Sequence, residues 1–129
     1  MSGRYLLDSN IVIATLSSDA GVLKRIEDAD EYFVSATVLG EMFFGTLHSA
    51  NSLKNLDRLE EFVSDAGFLS CDISTARHYG QIKALLRQKG KPIPENDIWI
   101  AASAMQHSLT LATRDLHFDN VHGLQLSRW

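Results

Sequence analysis

The chain has 129 residues, enough for one domain with a real core, and its 45% apolar and 22% charged content is ordinary for a globular protein. A formal net charge of −4 excludes a wholly basic nucleic-acid-binding surface but leaves room for a local basic patch. The lone Cys71 excludes an intrachain disulfide or a thiolate metal cluster; no apolar run reaches membrane-spanning length, and Met1-Ser2-Gly3-Arg4-Tyr5-Leu6-Leu7-Asp8 lacks a signal-peptide core, so a reducing cytoplasm is the expected compartment.

Arg4–Leu7 reads as a buried strand that ends at Asp8, and Asn10 is the expected cap of a helix starting at Ile11. Residues 20–29 form a second helical stretch with Val22, Leu23 and Ile26 on one face, and Tyr32–Ser35 is the next strand. Thr37–His48 follows as a helix, with Leu39, Met42, Phe43, Thr46 and Leu47 spaced for one apolar face and Glu41 in an early turn. A helix from Ser52 to about Asp65 turns Leu53, Leu56, Leu59, Phe62 and Val63 inward, and Gly67–Ser70 is a short strand. Ser74 is the expected cap of a long helix to about Lys89, carrying Tyr79, Ile82, Leu85 and Leu86; Gly90 ends it, and Pro92 and Pro94 forbid its continuation. Asn96–Gln106 is a helix with Asp97 in its first turn, and its Ile98-Trp99-Ile100 run makes it apolar on more than one side. Leu109–Ala112 and Leu124–Leu126 are the last strands, with Asp115 following the first of them.

Strands that alternate with helices predict an α/β fold with a central parallel sheet covered on both faces. In such sheets the functional loops gather at the strands' C-terminal ends. Asp8, Glu41, Asp97 and Asp115 are all expected at that edge. Singly, each has an ordinary reading as a turn, cap or helix-dipole residue. Jointly, carboxylates beside buried segments need compensation, and a hard divalent cation such as Mg²⁺ or Mn²⁺ provides it. That points to metal-dependent chemistry on a phosphate-bearing substrate. Ser9, Asn10 and Thr113 lie close enough to orient a carboxylate or hold a water, and are equally good capping and turn residues. The five histidines show no paired ligand spacing; only His117 lies close to a candidate acid. Lys83, Arg87, Lys89 and Lys91, with Arg77 earlier on the same helix, read either as a solvated face or as a rim for a phosphate backbone.

These residues resemble the PIN-domain ribonucleases, and within them the VapC-type toxins of bacterial toxin–antitoxin pairs. Leu7-Asp8-Ser9-Asn10 is similar to the family's opening motif, and Ser35-Ala36-Thr37-Val38-Leu39-Gly40-Glu41 to its second. Asn96-Asp97-Ile98-Trp99-Ile100-Ala101-Ala102-Ser103-Ala104 is the most specific match, and Thr113-Arg114-Asp115 with Phe118 and Gly123-Leu124 resembles the C-terminal motif. Many relatives carry Asn where Asp115 stands, and some place an acid downstream, so Asp119 is a candidate to share its role.

The resemblance spans the chain. It implies one PIN-like α/β/α sandwich over residues 1–129 with about five parallel strands, cleavage of RNA by water activated by Mg²⁺ or Mn²⁺, a homodimer, and a VapB-like antitoxin partner. It makes Asp8 and Asp97 the expected metal ligands, with Glu41 binding directly or through water and Asp115 completing a second ion's shell. Two rivals belong to other classes. An aspartyl-phosphate phosphatase or phosphotransferase would use Asp8 as nucleophile, but it wants a second acid where Asn10 stands. A non-catalytic protein-binding module would use the acids only as caps.

Overall fold

Leu6 and Leu7 are consecutive in one strand and both fully buried. Neighbouring strand residues point to opposite faces, so both faces of the sheet are covered there. The computed structural model describes residues 3–129; Met1 and Ser2, the start of the expected domain span and of the leader reading, lie outside them. The strands are β1 (Arg4–Leu7), β2 (Glu31–Ser35), β3 (Gly67–Leu69), β4 (Thr110–Thr113) and β5 (Leu126–Arg128). They form one five-stranded sheet in the order β3-β2-β1-β4-β5. Each adjacent pair is parallel. The α/β/α expectation is met.

Helices α1 (Ser9–Leu16), α2 (Ala20–Asp28), α3 (Ala36–Leu47), α4 (Ser52–Asp65), α5 (Ile73–Lys89) and α6 (Glu95–Gln106) pack around the sheet. A short 3₁₀ helix, Leu116–Asn120, separates β4 from β5. The core joins Leu6, Leu7, Val34 and Leu111 of the strands to Ile11, Val38, Leu59, Ile82 and Ile100 of the helices. No helix among the described residues is long and apolar enough to cross a membrane.

Chain order and sheet order diverge at the centre. From β1 the chain runs to β2 on one side and returns to β4 on the other. The loops after β1 and β4 therefore leave in opposite directions and open a crevice at the strands' C-terminal ends. The register pairs Leu7 with Ala112. The next residues, Asp8 and Thr113, are thereby side by side at that crevice.

Several local expectations are corrected. Asp8, not Asn10, caps α1, its carboxylate accepting the Ser9 N–H. Asp72, not Ser74, caps α5; it accepts the Thr75 N–H while Thr75 Oγ1 accepts the Asp72 N–H, a reciprocal capping box. Gly90 does end α5, in the left-handed conformation at φ 66°. The last strand starts two residues later than expected, because the 3₁₀ turn and a left-handed Gly123 at φ 83° use up the chain before it.

The inward faces also differ. Phe43, Leu47 and Leu53 are exposed, with Leu47 at 72% and Leu53 at 79%. Helix α3 does bury the expected Leu39 and Thr46, and Val38 with them. Leu23 and Leu85 are likewise turned outward. Trp99 stacks on Tyr79 of α5, ring centroids 4.2 Å apart, which accounts for the apolar flank of α6.

Candidate active site

Asp8 leaves the end of β1 almost wholly buried, 3% exposed. Its carboxylate accepts three donors: Thr113 Oγ1 at 2.7 Å, the Ser9 N–H at 2.8 Å, and the Ser9 hydroxyl at 3.4 Å. Burial raises the Asp8 pKa, and the nearby Asp115 charge adds to this, while the hydrogen bonds from Thr113 and Ser9 pull against it. Thr113 also accepts the Asp115 N–H at 3.0 Å, so one buried hydroxyl positions both acids.

Glu41 is the sixth residue of α3 and so lies in its second turn; the helix starts at Ala36, one residue before the expected Thr37. Its Oε2 is 3.3 Å from the Ser9 hydroxyl, which is thus shared between Glu41 and Asp8. Its Oε1 is buried with no hydrogen-bond partner among the described residues. Burial is again the leading cause that raises its pKa, followed by the charges of Asp8 and Asp97. Asp97, in the first turn of α6, is raised by burial and by Asp8 and Asp115, and lowered by His117.

Asp115 caps the 3₁₀ helix and accepts the His117 N–H at 2.9 Å. The His117 ring closes over the same acids, with Nδ1 3.1 Å from Asp115 Oδ1 and 3.4 Å from Asp97 Oδ2. Asp8, Glu41, Asp97 and Asp115 line one open cleft of about 510 Å³ with Ser9, Asn10, Ile13, Met42, Phe44 and Gly45. Four acids from four elements thus meet at the crevice. Three have their ionised forms disfavoured, and one presents a buried, unpartnered carboxylate oxygen. A divalent cation fits that donor set, because it satisfies the orphaned oxygen and relieves the repulsion together.

The remaining expected residues divide. Asn10 lines the cleft and its Oδ1 accepts the Arg114 N–H at 3.3 Å. Asp119 stands outside the cleft lining, in an exposed ion pair with Arg128. Lys83 is tied to Glu95 at 2.7 Å and to the Tyr79 hydroxyl at 3.2 Å. Lys89 donates to the Asn120 carbonyl at 3.2 Å, while Arg87 and Lys91 are exposed. His117 carried little weight in the sequence because its two acidic neighbours come from different elements. The signal available was its place two residues after Asp115 and beside Phe118, whose burial fixes the turn.

A second cavity of about 480 Å³ runs between α1, α3 and α4. It is lined by Leu16, Thr46, Asn55 and Arg58 and shares Ile13, Met42 and Gly45 with the acidic cleft. An apolar groove therefore leads into the carboxylates.

The sequence pattern of the PIN domain matches residues 5–124. Ribonuclease VapC2 of Haemophilus influenzae is 35% identical over 129 residues, with 98% of each chain covered. The tRNA(fMet)-specific endonuclease VapC of Shigella flexneri is 33% identical over the same span and coverage. The crystal structure of DNA-bound VapBC from Salmonella typhimurium superposes with a TM-score of 0.92 at 29% identity, again covering 98% of both chains. With the pattern and the relatives both spanning nearly its full length, the chain belongs to the PIN-domain family, among relatives that are VapC ribonucleases.

Proposed function

We propose that this chain is a Mg²⁺- or Mn²⁺-dependent endoribonuclease, the toxin of a toxin–antitoxin pair, held inactive by a VapB-like antitoxin. The observation that carries the reading is the meeting of Asp8, Glu41, Asp97 and Asp115 around the unpartnered Glu41 Oε1. Similarity to VapC ribonucleases over 98% of the chain supports the substrate class. Transfer RNA is the first RNA to test, because the Shigella flexneri relative is a tRNA(fMet)-specific endonuclease.

Asp8 and Asp97 would hold the cation directly, with Glu41, through its unpartnered Oε1, and Asp115 as the further residues that would bind it. Ser9 and Thr113 fix the carboxylates so that little reorganisation is needed when substrate arrives. The bound cation supplies Lewis acidity toward the scissile phosphate, offsets charge on its non-bridging oxygens and makes water a competent nucleophile near neutral pH. Buried carboxylates at the cleft floor repel the phosphate backbone unless a cation is present, so this site couples RNA binding to metal binding.

The groove between α1, α3 and α4 suits an amphipathic antitoxin segment that lays apolar side chains on Ile13, Leu16 and Met42. A basic side chain on it reaches the acids and replaces the cation. We place the protein in the cytoplasm, as a homodimer. The test is cleavage of transfer and ribosomal RNA by purified protein. Cleavage should require Mg²⁺ or Mn²⁺, stop with EDTA and disappear in Asp8→Asn with the fold intact; undiminished cleavage in EDTA or in that variant refutes the reading.

A further inference from the structure

The donors at one end of the cleft are not all carboxylates. Asp97, Asp115 and His117 each offer one ligand atom, and these atoms all lie within 4.8 Å of one another. The Nδ1 spacings are 3.1 Å to Asp115 Oδ1 and 3.4 Å to Asp97 Oδ2. Two donors each about 2.1 Å from one cation are about 3.0 Å apart at an octahedral angle and about 3.4 Å apart at a tetrahedral one. Both spacings therefore match edges of a coordination shell.

The ring is held in place. Its residue's N–H donates to Asp115 at 2.9 Å, and Asp115 is itself anchored through its own N–H to Thr113. The following residue, Phe118, is fully buried and pins the 3₁₀ turn to the core. The His117 side chain is 53% exposed, so the ring forms the solvent-side wall and the acids form the floor.

We propose that His117 is a metal ligand, completing with Asp97 and Asp115 a mixed nitrogen–oxygen site that takes Mn²⁺ or a later first-row cation in preference to Mg²⁺. Mg²⁺ is small, hard and reluctant to exchange water oxygens for other donors. Imidazole nitrogen suits transition cations, and affinity for such sites rises from Mn²⁺ along the first row. A site of carboxylates alone accepts Mg²⁺ and Mn²⁺ alike and has a weaker bias. This proposal rests on the metal-dependent reading above and adds the identity of one donor and the ion it selects.

Mn²⁺ binding to the intact protein tests it, read by electron paramagnetic resonance with Mg²⁺ as competitor. Pulsed spectra of the bound Mn²⁺ should show the nitrogen coupling of a directly bound imidazole, and His117→Gln should lose it. The preference for Mn²⁺ over Mg²⁺ should fall about tenfold or more in that variant, the loss that even an outer partner of a metal ligand produces. Bound Mn²⁺ without nitrogen coupling, coupling that survives in His117→Gln, or an unchanged preference each overturns the assignment. These outcomes leave the metal-dependent reading standing, whereas failure of the wild type to take up any Mn²⁺ removes both.

Discussion

Thr113 Oγ1 donates to Asp8 Oδ2 at 2.7 Å across 105 positions of sequence and accepts the Asp115 N–H at 3.0 Å. The link exists because β1 and β4 are neighbours in register, Leu7 opposite Ala112, so that the first residue past one strand meets the last of the other. Thr113→Val keeps the shape and removes the hydroxyl. It leaves a buried carboxylate oxygen and a backbone N–H short of a partner, which costs about 1–3 kcal/mol. The lost bond is one that lowers the Asp8 pKa, so that pKa rises further and the acid limb of the cleavage profile moves to higher pH. Thr113→Ser should restore both. Thermal melts and pH–rate profiles of the three proteins check this.

Asp115 and Asp119 are separated by their surroundings. Asp115 lines the cleft and meets His117, while Asp119 pairs with Arg128, the exposed last residue of β5. Exposed pairs are worth about 0–1 kcal/mol. Asp119→Asn should therefore change cleavage and melting little, whereas Asp115→Asn should reduce cleavage by about 100-fold, the scale of losing one charge-stabilising group. Equal losses in the two variants would return Asp119 to the site.

The groove proposed to take the antitoxin gives a third expectation. Ile13 is 53% exposed and belongs to both cavities. Ile13→Ser leaves the core intact and removes an apolar anchor at the groove's junction with the acids. Such anchors are worth about 2 kcal/mol or more, roughly 30-fold in affinity. Titration with a cognate VapB-like antitoxin should show that loss, and its co-expression should no longer rescue growth, while cleavage by the free protein stays within a few-fold of wild type.

The parallel sheet was legible because β1, β2 and β4 contain short apolar runs closed by a polar residue, whereas Leu126-Ser127-Arg128 of β5 is not such a run and its strand was expected two residues early. The convergence of the acids followed from that topology. The outward faces were not legible. Helix α3 carries Val38, Leu39, Met42, Phe43, Phe44 and Leu47, apolar nearly all round, so spacing alone cannot say which side meets the core. Asp8 and Asn10 are equally good caps two residues apart, and only the pairing of β1 with β4 decides between them. The unpartnered Glu41 Oε1 and the ring of His117 between two acids are tertiary facts with no local signature.

Asp97→Asn tests whether the cleft is strained by its own charges. Burial and the charges of Asp8 and Asp115 raise the Asp97 pKa, so its ionised form is disfavoured in the fold. The opposing loss is the acid's interaction with the start of α6, about 0.3–1 kcal/mol for a first-turn charge. The shift is upward even though His117 lowers it, so folding disfavours the ionised form of Asp97. The sign with pH follows. A carboxylate whose folded pKa exceeds its unfolded value binds more protons in the fold, so its contribution to stability declines as pH rises through that interval. For Asp97 the interval opens at the ordinary value of 3.8 and ends at its elevated folded pKa. In EDTA the variant and wild type should melt together near the low end, and the variant should melt higher toward neutral pH. Each 1 kcal/mol gained corresponds to about 4 °C for a domain of this size. Mn²⁺ should reverse the order, because cation binding stabilises wild type by mass action and the variant lacks one of the proposed ligands. A variant that melts with wild type at every pH, keeps the full response to Mn²⁺ and still cuts RNA would reduce Asp97 to an ordinary first-turn acid.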